Sequence, residues 1–250
     1  MSEISDLNVG ITAAFPCSYL PDQKEQLIML IEPEQNARDH YLSLMSLGFR
    51  RSGDQVYRPQ CPECEGCESL RISPTAFLLS KSQKRLLSKN KHFKVIQANQ
   101  VKPEYFQLYE RYINKVHQDG VMYPASLDQF ESFIACSWGN VQFIEVYDDS
   151  KLIAVSITDL LQEGTQQAWS AFYCFYDPNY TAHSLGKYAV LQQLTLAKAQ
   201  NVDFLYLGYY IQNCQKMNYK NQFNPHQRFI DQHWVSFDSH NDKKTPNKKP

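Results

Sequence analysis

Aromatic and aliphatic side chains are dense between Trp169 and Phe223, and their spacing changes twice within that stretch. Residues Trp169 to Tyr176 (W-S-A-F-Y-C-F-Y) read as a strand that stops at Asp177-Pro178, because proline neither donates to a ladder nor continues a paired strand. A turn over Asn179 to Ser184 follows. From Leu185 to Gln200 the positions Lys187, Val190, Leu191, Leu194 and Ala197 recur at helical spacing. Phe204 to Ile211 (F-L-Y-L-G-Y-Y-I) is again β-prone, as a central strand buried on both faces would be. Strand, turn, helix and strand therefore form one unit. It sets the helix's free N–H groups beside the end of the first strand, where an anion or a carbonyl oxygen can be held. An ordinary crossover packed on a sheet carries the same pattern.

Upstream, Phe15 to Pro21 is turn-rich, and Glu34 to Leu47 reads as a helix ended by Gly48. Phe49 to Pro59 reads as a hairpin turning at Ser52 to Gln55, followed by a cysteine cluster and a strand from Ser69 to Ser73. Lys102 to His117 and Ser126 to Trp138 are amphipathic helices separated by turn residues, and Val141 to Tyr147 and Leu152 to Leu161 are strands joined across Asp148 to Lys151. Two helices, a meander of three strands, a helix and a further strand give an α/β (α+β) order that matches an acyltransferase core of the GNAT type. A smaller N-terminal unit with the cysteines precedes it. The expected boundaries are 1–95 for the N-terminal domain with the cysteine cluster and a basic segment, 96–236 for the transferase domain, and 237–250 for a polar, disordered tail.

The charge balance limits how a polyanion could be engaged. The 250 residues, 43% of them hydrophobic, carry a net charge of −1, so the molecule as a whole is not steered onto nucleic acid and any such contact must come from a local patch. One segment qualifies. Lys81 to Lys94 contains six basic residues and no acidic one, and Lys81, Lys84, Arg85 and Lys89 fall along one face if it is helical. A solvated helix face has the same look, but it ordinarily carries interspersed acids. These four residues are candidates for phosphate contacts. No window approaches eighteen consecutive apolar residues and the N-terminus lacks a basic n-region and an apolar h-region, so a soluble, cytoplasmic protein is expected, with no membrane or DNA contact. Seven cysteines, an odd number, suit reduced thiols better than a disulfide framework.

Several local strings resemble the aminoacyl-tRNA:protein transferases. They are Gly48-Phe-Arg-Arg-Ser-Gly53, Tyr57-Arg-Pro59, Ser82-Gln-Lys-Arg85, Phe175-Tyr-Asp-Pro178, Ser184-Leu-Gly-Lys-Tyr188 and Leu207-Gly-Tyr-Tyr-Ile211, followed by Lys216-Met and Tyr219-Lys220, in the family's order over about residues 10 to 235. The chain is shorter than the eukaryotic arginyl enzymes, and Cys17 stands in C-S-Y-L where they have a C-x-x-C pair. Both departures point to the bacterial, leucyl branch. The resemblance implies transfer of leucine from Leu-tRNA to the N-terminal Asp or Glu of acceptor proteins, marking them for degradation. Arginyl transfer to the same acceptors and an acyl-CoA-dependent N-acetyltransferase remain as alternatives, the latter with its glycine-rich loop reduced to Gly186.

The chemistry itself asks for little beyond positioning. An α-amine with a pKa of about 7.7–8.0 is partly neutral at pH 7, so attack on an aminoacyl ester needs only a modest base. Holding amine and ester together can supply roughly 7–11 kcal/mol. Ser184, Leu185 and Gly186 at the helix start and the strand Tyr206 to Tyr210 are the expected walls of the acyl slot. Asp177 could receive the amine's proton, although an Asp before Pro is commonly a turn-former. Tyr209 and Lys216 could bind the ester or the terminal adenosine, although an aromatic strand is usually core. An acidic acceptor calls for a guanidinium fork, for which Arg50, Arg51, Arg58 and Arg71 are candidates. No cofactor is required. Cys61, Cys64 and Cys67 are spaced as in a metal loop, and Cys17 could complete a four-thiol set for zinc or an iron–sulfur cluster, which the resemblance associates with the arginyl branch. Free thiols in a loop that Glu63, Glu65 and Glu68 mark as surface would serve structurally instead.

Overall fold

The computed structural model describes residues 7–31 and 33–238. The segment 239–250, most of the expected tail, lies outside the described residues. Four short strands come first: β1 (Val9–Ile11), β2 (Phe15–Pro16), β3 (Lys24–Glu25) and β4 (Leu27–Leu30). Helix α1 (Pro33–Ser46) follows and ends where Gly48 adopts φ +91°, with the Phe49 N–H returning to the Leu44 carbonyl at 3.0 Å. The hairpin β5 (Arg50–Ser52) and β6 (Gln55–Pro59) turns at Gly53-Asp54 as the sequence indicates. Then come β7 (Glu68–Ile72), α2 (Lys81–Lys89) and β8 (Lys94–Ala98). Helix α2 starts on a capping box, Ser80 accepting from the Gln83 N–H and the Gln83 side chain accepting from the Ser80 N–H.

The remaining elements follow the expected order: α3 (Pro103–Val116), α4 (Leu127–Ile134), β9 (Asn140–Asp148), β10 (Lys151–Glu163), β11 (Gln166–Tyr176), α5 (Leu185–Ala199) and β12 (Phe204–Tyr210). A 3₁₀ segment, Pro178–His183, links β11 to α5. Helix α4 stops short of Trp138, because the residues beyond Ile134 close over the β5–β6 turn: the Ser137 N–H donates to Asp54 Oδ1 and the Trp138 indole to the Asp54 carbonyl. After β12 come α6 (Gln215–Asn218), a 3₁₀ segment Tyr219–Gln222, and a hairpin of β13 (His226–Ile230) and β14 (His233–Phe237) that the sequence pattern did not announce.

One eight-stranded sheet runs β14-β13-β7-β12-β11-β10-β9-β8, and a four-stranded sheet runs β1-β4-β6-β5. Strand β7 enters the large sheet between β13 and β12, so strands from both sides of residue 95 share it. Neighbouring residues on a strand point to opposite faces. Phe143 and Val155 join Tyr105, Leu108, Tyr109 and Phe130 of α3 and α4, whereas Ile144 and Trp169 join Val190, Leu191 and Leu194 of α5. The sheet is thus covered by α3 and α4 on one face and by α5 on the other. Among the described residues no helix is long and apolar enough to cross a membrane.

Within the large sheet only β11 and β12 run parallel, and they pair over just three positions, Ala168 with Phe204, Trp169 with Leu205 and Ser170 with Tyr206. Beyond these β11 stays with β10, while β12 bulges at Leu207-Gly208, where Gly208 has φ +75°, and rejoins β7 at Tyr209 and Tyr210. The two strands therefore diverge, leaving a wedge between Ala171–Tyr176 and Leu207–Tyr210.

Candidate active site

The wedge is walled by tyrosines. Tyr173 and Tyr176 come from β11, and Tyr112 of α3 lies 4.8 Å from Tyr176, ring centre to ring centre. Tyr219 stands within electrostatic reach of Cys174 and Tyr176, and Tyr19 within reach of Tyr173. Burial pushes these phenols upward: Tyr219 rises to about 12, and Tyr112, Tyr173 and Tyr19 are raised as well. All four are therefore neutral hydroxyls near pH 7, able to donate hydrogen bonds. His117 accepts from or donates to the Tyr112 hydroxyl at 3.0 Å, and burial followed by the Lys216 charge lowers its pKa.

At the mouth of the wedge stands the start of α5. Ser184 holds a left-handed conformation (φ 45°, ψ 50°) and gives no side-chain cap, so the first-turn N–H groups at Leu185 and Gly186 are not consumed by a cap. Gly186 lets the Tyr176 ring approach closely: a Cβ there would meet Tyr176 Cε1 at 3.3 Å. The Leu185 side chain is buried and anchors the turn in the core with Phe93, Ile153 and Tyr188.

Helix α2 is fastened to this same corner. Asn90 Nδ2 donates to the His183 carbonyl at 2.9 Å, Lys89 Nζ to the Ala182 carbonyl at 2.7 Å, and buried Gln83 to the Gln222 carbonyl at 3.1 Å. Lys81, Lys84 and Arg85 remain exposed on its outer face. Lys187, in the first turn of α5, donates to Gln222 Oε1 at 2.7 Å. The basic face and the helix start are thus neighbours, which neither segment's own pattern indicates.

These observations suit a site where a neutral carbonyl is activated next to a bound polyanion. Residues 15–85 match the family model described as the N terminus of arginine-tRNA-protein transferase, and residues 104–230 match its C terminus. The chain belongs to this family. Curated relatives are named aspartate/glutamate leucyltransferase: the one from Pseudoalteromonas atlantica is 46% identical over 91% of this chain and 96% of its own, and the one from Aeromonas hydrophila is 44% identical over 96% and 99%. That from Vibrio cholerae is 43% identical over 93% and 98%. Among solved structures, the C-terminal domain of a putative lysylphosphatidylglycerol synthetase from Agrobacterium fabrum aligns over 58% of this chain and 46% of its own at TM-score 0.41 and 14% identity. This family member is an aminoacyltransferase with a mixed α/β fold.

In this transferase the expected site residues are dispersed by their partners. Asp177 is buried and both carboxylate oxygens are held, Oδ1 by the Asn179 N–H at 2.9 Å and Oδ2 by Lys151 Nζ at 2.8 Å. Burial alone would raise its pKa, but the Lys151 hydrogen bond, the Asn179 N–H and the Lys151 charge outweigh it and the carboxyl stays below its ordinary value. Lys216 is exposed and pairs with Asp119 at 2.7 Å. The Tyr209 hydroxyl donates to the Gly48 carbonyl at 2.8 Å, tying the end of β12 to the start of the β5–β6 hairpin.

The four arginines differ sharply. Arg51 forms a bidentate pair with Asp159 through Nε and Nη2, donates from Nη1 to the Gly53 and Ala135 carbonyls, and lies 3.8 Å from the Phe172 ring centre. Arg58 is more open and donates to the Leu47 carbonyl. Arg71 is sandwiched between Phe204 and Trp234, at 3.9 and 4.0 Å, and donates to Gln227 and Tyr206. Arg50 is buried beside Tyr206 and Tyr209, and its Nη1 donates to the Met45 and Phe49 carbonyls.

The cysteine loop lies close to this hairpin. Backbone N–H groups two residues on donate to two of the thiols, Tyr19 to Cys17 and Gly66 to Cys64, each at 3.4 Å. Burial first, then Cys61, Cys17 and Cys64, push the Cys67 thiol up to about 12. Among the described residues no group of three or more His, Cys, Asp or Glu side chains is arranged to hold a metal ion. One residue escaped the sequence reading. Lys220 is buried, donates to the Tyr209 carbonyl and to Met217 Sδ, and is lowered to about 7 by burial and then by the Arg50 charge. Its only signal in the sequence is its place in the Tyr219-Lys220 string.

Proposed function

We propose that this transferase moves leucine from Leu-tRNA to the α-amine of proteins beginning with Asp or Glu, in the cytoplasm where charged tRNA and reduced thiols coexist. The observation that carries the reading is the joining of the basic face of α2 to the first turn of α5 at the mouth of a tyrosine-lined wedge. Lys81, Lys84, Arg85 and Lys89 approach the phosphates of the acceptor arm, and the terminal ester enters the wedge. The N–H groups at Leu185 and Gly186 then stand where the ester oxygen gains charge as the amine attacks. Neutral phenols around the wedge suit an apolar leucyl side chain. A guanidinium-bearing donor would call for a carboxylate, and the phenols supply none. The acceptor amine, partly neutral at pH 7, attacks the carbonyl, the tetrahedral centre collapses, and the tRNA ribose oxygen leaves with a proton.

The thiols have the donor chemistry for zinc or an iron–sulfur cluster, and the two N–H···S bonds resemble those that steady metal-bound thiolates. Cys17, Cys61, Cys64 and Cys67, near one another but not gathered into a ligand set, would hold such a group only after their side chains close on it, as a structural element outside the transfer step. The deciding experiment for the function presents a panel of labelled aminoacyl-tRNAs to peptides that begin with Asp, Glu, Asn, Lys or Arg. Leucine on Asp and Glu peptides is expected. Arginine transfer, or leucine only on Lys and Arg peptides, overturns the reading.

A further inference from the structure

Arg50 and Lys220 are two buried cations set against the same residue, Tyr209, at the end of β12 that borders the wedge. The Arg50 guanidinium lies 5.4 Å from the Tyr209 ring centre, and Lys220 Nζ donates to the Tyr209 carbonyl. Arg50 is 5% exposed and Lys220 6%. Neither is in an ion pair among the described residues. The groups that act electrostatically on Lys220 are Arg50, Cys214 and Cys67, with no carboxylate among them. Holding both groups charged without an anion is unfavourable for the free protein, and the lowered Lys220 pKa expresses that cost; a bound anion would restore the charge.

The neighbouring arginine shows what the missing interaction would be. Arg51 uses its Nε and Nη2 edge to grip the Asp159 carboxylate side-on. Arg50, on the opposite face of the same strand, presents the same edge, and its Nε and Nη2 are buried without a hydrogen-bond partner. Gly208 puts no side chain beside Lys220, where the nearest atom to a Cβ would be Lys220 Nζ at 3.8 Å. A phosphate chain is met on the open face of α2, whereas an enclosed pair of cations suits one small, fully desolvated anion.

We propose that Arg50 and Lys220 together bind the side-chain carboxylate of the acceptor's first residue, with Lys220 as a specificity-determining residue. This rests on the leucyl-transfer reading above. A carboxylate gripped there leaves the α-amine, three bonds from the carboxyl carbon in Asp and four in Glu, facing the wedge. The cations also disfavour the amine's protonated form, so the residue that selects an acidic side chain helps to keep the nucleophile neutral. Asparagine offers the same shape without the charge and leaves both cations unpaired.

The test uses the full chain with Leu-tRNA and matched peptides beginning with Asp or Asn, comparing kcat/KM for Arg50→Lys, Lys220→Met and Lys220→Arg. Arg50→Lys keeps the charge but loses the fork, and it should reduce the Asp-over-Asn ratio about ten- to hundredfold with Leu-tRNA binding unchanged. Lys220→Met should do the same. Lys220→Arg keeps the cation and should retain most of the ratio, which also covers the case in which the Met variant fails to fold. A folded Arg50→Lys or Lys220→Met variant with the wild-type ratio would overturn the proposal. Wild-type protein that transfers no leucine to Asp peptides would refute the functional reading instead.

Discussion

Arg51 and Asp159 allow a structural role to be separated from acceptor recognition. Their closest N–O distance is 2.7 Å and the two side chains are 0% and 4% exposed, so neither is screened by water. Replacing Arg51 by Met leaves the Asp159 charge buried and unpaired, which costs about 3–5 kcal/mol. The Gly53 and Ala135 carbonyls also lose a donor, at about 1 kcal/mol each. Against a total stability of about 5–15 kcal/mol for a domain, such a variant is severely weakened. The double variant Arg51→Met with Asp159→Leu removes both charges and should recover most of the loss, because a buried pair exchanged for apolar side chains is often close to neutral. Urea unfolding of the wild type, both single variants and the double variant gives the coupling energy directly, provided the denaturant slopes agree. A coupling of about 2–4 kcal/mol is expected, with the Asp-over-Asn acceptor ratio unchanged in every variant that folds. A single Arg51→Met variant within about 1 kcal/mol of wild type would refute the argument, since a buried, unpaired carboxylate cannot be that cheap. So would a collapse of the acceptor ratio with stability intact.

Three further outcomes follow from the same geometry. Changing Lys84 and Arg85 together to Ala should weaken Leu-tRNA binding and make the plot of log affinity against log salt shallower by about 1.5, as two phosphate contacts are lost; an unchanged slope leaves α2 a solvated face. Because the folded Asp177 carboxyl is held below its ordinary value, its stabilising contribution is present above the unfolded pKa of about 3.9 and is lost as pH falls through the lower folded value. Lys151→Met should therefore move acid unfolding to higher pH, and an acid midpoint identical to wild type would show that the Lys151–Asp177 pair contributes nothing. Finally, protein purified without oxygen should carry close to one equivalent of zinc or an iron–sulfur chromophore, lost in Cys64→Ser. Metal-free protein of full activity and stability would mean that the four thiols serve as they are.

Hydrophobic period, turn residues and charge runs made the strand-turn-helix-strand unit, the hairpin at Gly53-Asp54, the two helices before the meander and the exposed basic face of α2 legible in the sequence. These are set within a few residues by backbone preferences, helix or strand period and local capping. The sequence alone could also nominate four arginines, since any of them could grip a carboxylate. It could not rank them. Arg50 and Arg51 are adjacent on β5, and strand alternation sends them to opposite faces, but only the fold brings Asp159, 108 residues away, onto one face and leaves the other beside Tyr209 and Lys220. Likewise the insertion of β7 beside β12, the divergence of β11 and β12, and the attachment of α2 to the start of α5 rest on contacts between segments far apart in the chain. Whether a charge is paired, buried or exposed depends on what the rest of the molecule packs against it, and no local pattern carries that information.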